Sequence, residues 1–348
     1  MSVEFPDFDD PSSALVSIKE LAKTLGLSAS WIRHLADQGI IPATRTAGGH
    51  RRFDRTAAAA AWAHHQRSNP GSRTRRVDVQ RSLDACDEGE LWAAVSPSLA
   101  LPEPAHVIAQ YITTEMVNNA IDHSRGQTVV VTAVQHDNLW AVRVADDGEG
   151  IFHHLATGLD LQRPLDALGE LTKGKRTTDP SKHTGEGIFF SSKATDLFSI
   201  AANGYRITFD NERNDIAYGT SPVTVGTVVE FTVDPTTSLT IKSLFERFTD
   251  DDFRFVKTIP RVSLFEIGVR FVSRSEAKRL GVGLESFSEV ELDFSGVTDV
   301  GQGFVDELFR VWAGAHPSTV LSPIAMNDAV EFMIHRSLPS HSQQDDAR

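Results

Sequence analysis

Asp146-Asp147-Gly148-Glu149-Gly150 is the stretch of sequence that decides the fold. It follows residues 139–144, whose alternating pattern predicts a β-strand. Glycines after a carboxylate let the backbone come close to a neighbouring group at the end of that strand. A calcium-binding loop is the alternative, but its later ligand positions would fall on Phe152, His153 and His154. The stretch therefore predicts one wall of a ligand pocket.

Three further motifs flank this stretch in the order that a single pocket would need. Residues 115–120, Glu-Met-Val-Asn-Asn-Ala, fall on a helix that is predicted to begin at Pro104. Glu115 and Asn119 are four residues apart, so they share one face of that helix. The other two motifs, which open a second helix and enter a final strand, are Gly185-Glu186-Gly187 and Gly226-Thr227. One Gly-x-Gly pattern alone would be weak, but the four together predict a composite site.

In this order and spacing the motifs resemble the GHKL family of ATP-binding domains, found in histidine kinases, anti-sigma serine kinases, gyrases, heat-shock chaperone ATPases and mismatch-repair ATPases. The resemblance implies that the domain binds ATP and Mg²⁺. It implies that Asn119 ligates magnesium, that Glu115 activates water in hydrolytic members, and that Asp146 accepts the adenine amino hydrogen. The further nucleotide-binding positions that it implies are Asp122, Gly148, Gly150, Lys173, Lys175, Thr184, Gly185, Gly187 and Thr227.

Two details of the middle region qualify this resemblance. Asp147 stands where relatives often have Asn. Residues 152–183 form a long connection, and connections beyond ~15 residues within a compact domain are usually lids or binding loops. The resemblance implies an ATP lid here; its basic residues suit phosphate and equally suit a solvated loop face. The sequence does not select which of Lys173, Lys175 and Lys182 contacts a phosphate group.

The charge of the chain is unevenly distributed. The net charge is −13, whereas residues 14–76 hold eleven Lys and Arg against three acidic residues, which gives 11 − 3 = +8. The remainder therefore carries −13 − 8 = −21. A basic head on an acidic body indicates that only the head meets a polyanion.

The basic head has the pattern of a helix-turn-helix. Ser17 and Glu20 form a capping box in front of a first helix, which is predicted to end near Gly26. Ser28 is the predicted N-cap of a second helix over residues 29–38. Two short helices joined by a tight turn are typical of DNA-binding domains.

Residues 45–53, Arg-Thr-Ala-Gly-Gly-His-Arg-Arg-Phe, predict a hairpin with a glycine tip. This string resembles the wing of MerR-type and excisionase-type winged helix-turn-helix proteins, which implies DNA binding. A module that binds protein instead is the alternative. Because one small basic module binds DNA weakly, we expect a homodimer. The resemblance places Ser28, Ser30, Trp31, Arg33 and His34 near bases, and Arg45, His50, Arg51 and Arg52 near the phosphate backbone.

The last third of the chain predicts a small α/β domain. Strand, turn and helix follow one another over residues 268–278, with Ser275 as the N-cap. Residues 273–277 and 293–297 resemble a STAS-like domain of unknown function that often follows this type of ATPase. Residues 299–303, where STAS phosphoacceptors stand, contain no hydroxyl group. We therefore expect a docking element for a protein partner.

Together these patterns predict an α/β multidomain protein that contains a winged helix-turn-helix, a Bergerat-type α/β sandwich ATPase and a small STAS-like α/β domain. No stretch is apolar enough for a membrane span, the acidic start is unlike a signal peptide, and Cys86 is the single cysteine, so we expect a cytoplasmic protein. The predicted domains cover residues 14–66, 81–235 and 263–337, with a linker at 67–80, a connector at 236–262 and a disordered tail at 338–348.

Three functions fit this organisation. The first is an ATP-responsive DNA-binding regulator with slow Mg²⁺-dependent ATPase activity. The second is an anti-sigma-like serine/threonine kinase that acts in trans on a STAS partner, and the third is an ATP-gated scaffold in a defence or stress assembly. Histidine autokinase activity is not expected, because none of four histidines has the dimerising helical surroundings of a phosphoacceptor; these are His64, His65, His106 and His123.

Overall fold

A computed structural model of the protein describes residues 15–25, 27, 29–45, 51–68, 75–136, 139–175, 185–252, 254–262 and 270–337. The chain is a mixed α/β protein with a large antiparallel sheet in its middle part. Among the helices described, none combines the length and the apolar character needed to cross a bilayer. The predicted tail and three predicted site residues, Ser28, His50 and Thr184, lie outside the described residues.

The head is built from two short helices, a small antiparallel sheet and a third helix. The Ser17 backbone N–H and hydroxyl both donate to the Glu20 carboxylate at 2.8 Å, which confirms the capping box. The core holds Leu21, Ile32 and Phe53, all fully buried. The elements are β1 (Leu15–Val16), α1 (Ile18–Leu25), α2 (Ala29–Asp37), β2 (Thr44–Arg45), β3 (Arg51–Asp54) and α3 (Arg55–Ser68).

The middle part contains a sheet of seven strands among the described residues, all paired antiparallel in the order β4-β5-β6-β10-β7-β8-β9. The strands are β4 (Arg75–Ser82), β5 (Thr128–His136), β6 (Leu139–Asp146), β7 (Leu197–Ala202), β8 (Tyr205–Asp210), β9 (Asp215–Thr220) and β10 (Thr227–Thr232). The structure differs from the predicted linker, since β4 begins at Arg75. Its polar side chains are those of an exposed edge strand, so the sequence pattern did not distinguish it from a linker.

Helices cover one face of this sheet. Fully buried Ile108, Ile112 and Val117 line the inner face of α5, whereas Glu115 and Asn119 on another face are only half-buried. The helices are α4 (Glu88–Val95), α5 (Ala105–His123), α6 (Ile151–Gly158), α7 (Ala167–Lys173) and α8 (Gly187–Lys193).

The C-terminal part contains short parallel sheets, β11-β13-β15 and β12-β14. Ser273, rather than the predicted Ser275, is the N-cap of α10, because its hydroxyl accepts from Glu276 N–H and Glu276 reaches back to Ser273 N–H. From the predicted connector, β11 joins this sheet. The elements are α9 (Ile241–Glu246), β11 (Lys257–Thr258), β12 (Arg270–Phe271), α10 (Arg274–Gly281), β13 (Glu289–Asp293), β14 (Asp299–Val300), α11 (Gln302–Val305), a π-helical segment (Asp306–Trp312), α12 (Ala313–Ala315), β15 (Val320–Ile324) and α13 (Asp328–Ser337).

A cluster of phenylalanines joins the middle part to the C-terminal part. Phe190 of α8 stacks on Phe245 of α9 with ring centroids 4.0 Å apart. Phe255 contacts Phe190 on one side and Phe287, before β13, on the other, at 5.1 and 5.0 Å. These buried rings belong to one continuous apolar core. The two parts are therefore held together by aromatic packing.

Phe190→Ala is expected to destabilise the protein by about 3–5 kcal/mol, because a fully buried ring leaves a cavity. Phe332→Ala is the matched control, since that ring on α13 is 60% exposed and its loss should change stability by no more than about 0.5 kcal/mol. Urea unfolding midpoints check both values. Equal midpoints for the two variants would contradict this role of the aromatic cluster.

Candidate functional site

The four sequence motifs line one cavity, which opens to solvent. It lies beside the end of β6 and the start of β10, between α5 and α8. Of the predicted site residues, the structure brings together around it Glu115, Asn119, Asp146, Gly150, Gly185, Gly187 and Thr227.

Asp146 is fixed by the backbone around it. Its Oδ1 accepts from Gly148 N–H at 2.9 Å and from Thr227 N–H at 3.1 Å. Burial raises the pKa of the Asp146 carboxyl, and these two hydrogen bonds act in the opposite direction. The Thr227 hydroxyl accepts from Ile151 N–H at 3.0 Å, so it links the start of β10 to the start of α6. Asp146 thus has a set orientation at the cavity.

Two glycines allow the backbone segments at this place to touch. A methyl group on Gly148 would overlap the carbonyl of Ser124, at the end of α5. One on Gly226, which has φ +69°, would overlap the carbonyl of Asp146. Gly226 N–H donates to the Gly148 carbonyl at 2.8 Å. Glycine at these positions is therefore a requirement of the close approach.

The Glu115 side chain lies beside the N-terminal end of α8. A methyl group on Gly187 would overlap its carboxylate, so this glycine leaves the room that Glu115 occupies. Asn119 lies one turn further along α5 and also lines the cavity. A carboxylate and an amide thus project together into the space between α5 and α8. Asp122, by contrast, is exposed and is not among the lining residues.

A polar group that the sequence motifs did not indicate also borders the cavity. His154 of α6 forms a 2.7 Å hydrogen bond with Glu149, whose other oxygen accepts from Arg125 at 3.1 Å. The His154 ring lies 5.5 Å from that of His123, and both histidines line the cavity. No local sequence pattern indicates this group, because its members come from two segments that are distant in sequence, residues 123–125 and residues 149–154.

Asp147 has a structural role. Its carboxylate accepts from the backbone N–H groups of Gln127 and Thr128 at 2.7 and 2.9 Å, and from the Thr128 hydroxyl at 2.8 Å. The hydrogen bond from the Thr128 backbone N–H is the main cause of the lowered pKa of the Asp147 carboxyl. The acidic side chain thus holds the start of β5 beside the end of β6.

The two described lid lysines turn away from the cavity. Lys173 is fully buried, pairs with Glu170 at 2.8 Å and donates to the Val282 carbonyl at 2.7 Å. Lys175 donates to the Ser286 carbonyl at 3.0 Å and lies 4.7 Å from the centre of the Phe287 ring. In the structure both lysines bind the C-terminal part, and their predicted phosphate contact stays a prediction. The basic pattern did not reveal that the C-terminal part offers carbonyls and an aromatic ring.

The DNA-binding prediction for the head has a mixed outcome. Trp31 is buried in the core of the head at 3% exposure, so it does not face a base. Arg51 donates to the Arg33 carbonyl at 3.1 Å and pairs with Asp37. Arg33 is partly buried against the middle part of the chain. The other described residues of the predicted DNA set are Ser30 and His34 in α2, Arg45 in β2 and Arg52 in β3.

Two protein-family models match the chain. The model described as MerR family regulatory protein matches residues 17–53. An N-terminal MerR-family domain is present. The model described as a STAS-like domain of unknown function (DUF4325) matches residues 276–331. No curated protein matches the chain. The predictions for the two ends are confirmed at this level, and the MerR-family domain supports a DNA-binding regulatory role.

Lys173→Met is expected to destabilise the protein by roughly 3–5 kcal/mol, because it leaves the buried Glu170 carboxylate without its cationic partner. Lys242→Met is the matched control, since its pair with Glu246 is exposed and worth at most about 1 kcal/mol. Urea unfolding measures both. Unchanged stability together with lost nucleotide binding would instead make Lys173 a phosphate ligand.

Proposed function

We propose that this protein is an ATP-binding, DNA-binding regulator in which the nucleotide state of a GHKL domain controls binding of DNA or of a protein partner. The single observation that supports this most strongly is the convergence of four separate motifs on one cavity. The MerR-family domain supplies the DNA-binding part. The antiparallel sheet covered by α5 and α8 fits the Bergerat-type sandwich that the resemblance implies.

The fixed carboxylate of Asp146 supports adenine selection. An ionised carboxylate only accepts hydrogen bonds, and adenine presents an amino group where guanine presents an oxygen. Gly148 and Thr227 hold Asp146 by their N–H groups. A guanine base would therefore place one acceptor against another. The apolar Val144 and Ile151, which also line the cavity, suit the faces of a purine ring.

The α5 face supports a magnesium–triphosphate end of the same site. Mg²⁺ prefers oxygen ligands and takes only one or two from a protein when phosphates supply others. Asn119 offers an amide oxygen, and Glu115 one turn away is the nearby carboxylate on the cavity wall. Bound there, the ion would neutralise phosphate charge. Glu115 would orient a water molecule and accept its proton, which makes slow hydrolysis the accompanying activity.

The root of the predicted lid supports a route from the cavity to the C-terminal part. Gly174 lines the cavity, and the residues on either side of it, Lys173 and Lys175, bind carbonyls of the C-terminal part. The Thr258 hydroxyl also donates to the Lys173 carbonyl. A nucleotide that shifts Gly174 would therefore move contacts of the STAS-like domain. Regulation of this kind requires that the nucleotide bind the two arrangements unequally.

Asp146→Asn is expected to reduce affinity for Mg-ATP at least about 100-fold. The amide oxygen would keep the hydrogen bonds from Gly148 and Thr227 N–H, so the amide NH2 would face the adenine amino group, donor against donor. Calorimetric titration with Mg-ATP and Mg-GTP measures this, and the wild type should prefer Mg-ATP. The variant should also lose any difference in affinity for a mixed-sequence DNA duplex between ATP-loaded and nucleotide-free protein.

Asp160→Asn is the matched control for that experiment. Asp160 is exposed at the end of α6 and has φ +53°, a conformation that Asn tolerates as well as Asp. Its Mg-ATP affinity should equal that of the wild type. If the Asp146 variant binds Mg-ATP as tightly as the wild type, Asp146 does not bind the nucleotide. If the DNA affinity of the wild type is the same with and without ATP, the proposed coupling is wrong.

Glu115→Gln is expected to keep Mg-ATP binding and to lower the rate of phosphate release by about 100-fold or more, because the amide cannot accept a proton from water. Glu103→Gln, an exposed residue before α5, is the control and should keep the wild-type rate. Release of inorganic phosphate is measured at saturating Mg-ATP. Equal rates for the two variants would exclude Glu115 as the general base.

A further inference from the structure

The end of the central sheet that lies away from the cavity carries an acidic surface. Phe231 pairs with Val142, so Thr232 of β10 lies beside Ala141 of β6; Thr232 pairs with Leu197, and Leu197 pairs with Asp210. One row of residues thus crosses four strands at this end. Acidic side chains stand on and beside this row: Asp196, Asp210 and Glu212.

The head rests on this surface through α2. Arg33 and Asp37, one turn apart on the same face of α2, line a small cleft together with Asp196, Asp210 and Glu212. Burial lowers the pKa of the Arg33 guanidinium, and the Asp210 carboxylate is the strongest influence in the opposite direction. The partly buried arginine thus lies near the carboxylates of Asp210 and Asp37, which favour its charge, and near Arg51 and Arg206, which oppose it.

A chain of ion pairs fastens the contact. Arg213, in the turn between β8 and β9, pairs with Asp210 at 2.8 Å and with Asp37 of α2 at 2.5 Å. Asp37 also pairs with Arg51 of β3, which in turn donates to the Arg33 carbonyl. Carboxylate partners raise the pKa of Arg213. The wing strand, α2 and the central sheet therefore share one charged network.

An apolar contact accompanies these charges. Ala141 of β6 packs against the core cluster of the head, which includes Trp31, Ile32 and Leu35 of α2. Because these three side chains point into the head, the face of α2 that carries Arg33 and Asp37 is the one left for an outside partner. That face is the one the central sheet covers.

We propose that the acidic end of the central sheet is an intrachain docking surface that holds α2 of the MerR-like domain where it cannot enter a DNA groove. A helix that enters the major groove, which is about 12 Å wide, presents its outward face to the bases. The sheet covers that face of α2, so the sheet and a duplex cannot both contact it. Arg33 lies within this contact, where its side chain is partly buried against the sheet and faces the sheet instead of a duplex. DNA binding therefore requires the head to leave the sheet. This inference does not depend on nucleotide binding.

The test is the affinity of the full-length protein for a mixed-sequence DNA duplex at fixed salt concentration. Arg213→Glu places a carboxylate beside Asp37 and Asp210 and should release the head. Because the fraction of competent protein sets the apparent affinity, we expect roughly three- to tenfold tighter DNA binding than in the wild type. The change is expected although the variant is more negative, which by itself would weaken DNA binding.

Arg254→Glu is the matched control. Arg254 is an exposed arginine that pairs with Asp250 in another turn, so it gives the same change of charge while leaving the docking surface intact. It should bind DNA no more tightly than the wild type. Arg213→Gln serves as a second, milder release variant if the charge reversal lowers the thermal unfolding temperature. If the folded Arg213 variant binds DNA no more tightly than the Arg254 variant, the docking proposal is wrong.

Discussion

The hydrogen bonds that Gly148 and Thr227 donate to Asp146 hold together the part of the fold on which everything else depends. They join the end of β6 to the start of β10, two neighbours in the middle of the sheet. Gly226 adds a backbone bond to Gly148, and both glycines sit where any side chain would overlap a carbonyl. Removing a carboxylate even partly from water costs free energy unless the carboxylate is hydrogen-bonded, and these two N–H groups supply the bonds. The position of Asp146 therefore fixes the loop, the cavity wall and the start of α6.

The same two strands connect the proposed nucleotide site to the proposed docking surface. In β6, Ala141 packs against the head and Asp146 lies at the cavity. β10 runs in the opposite direction, from Thr227 at the cavity to Thr232. A second connection leaves the cavity at Gly174 and reaches the C-terminal part. The cavity is thus connected to the head through β6 and β10 and to the C-terminal part through Gly174. Contact alone does not create regulation; a ligand must favour one arrangement of these contacts over another.

Much of this organisation could be predicted from sequence, and the reasons differ from region to region. Local rules were sufficient for the capping box of Ser17 and Glu20, since both partners lie within one turn. The motif order was sufficient to place Asp146 and Asn119 at one cavity. Local rules failed for β4, because an exposed edge strand needs no apolar pattern, and for Lys173, because its partners at Val282 and beyond are distant in sequence.

The contacts of Arg33 could not be predicted for a related reason. The charge asymmetry of the sequence indicates that a basic head and an acidic body attract each other as much as it indicates a polyanion partner. A tether between them gives an effective concentration in the range of about 1 mM, so even a weak intrachain contact is well populated. One shared network through Asp37 and Arg213 is weak enough for a duplex, which offers many phosphates at once, to displace it. Salt weakens both interactions, and it weakens the duplex contact more steeply because more phosphates take part, so a rise in ionic strength favours the docked head.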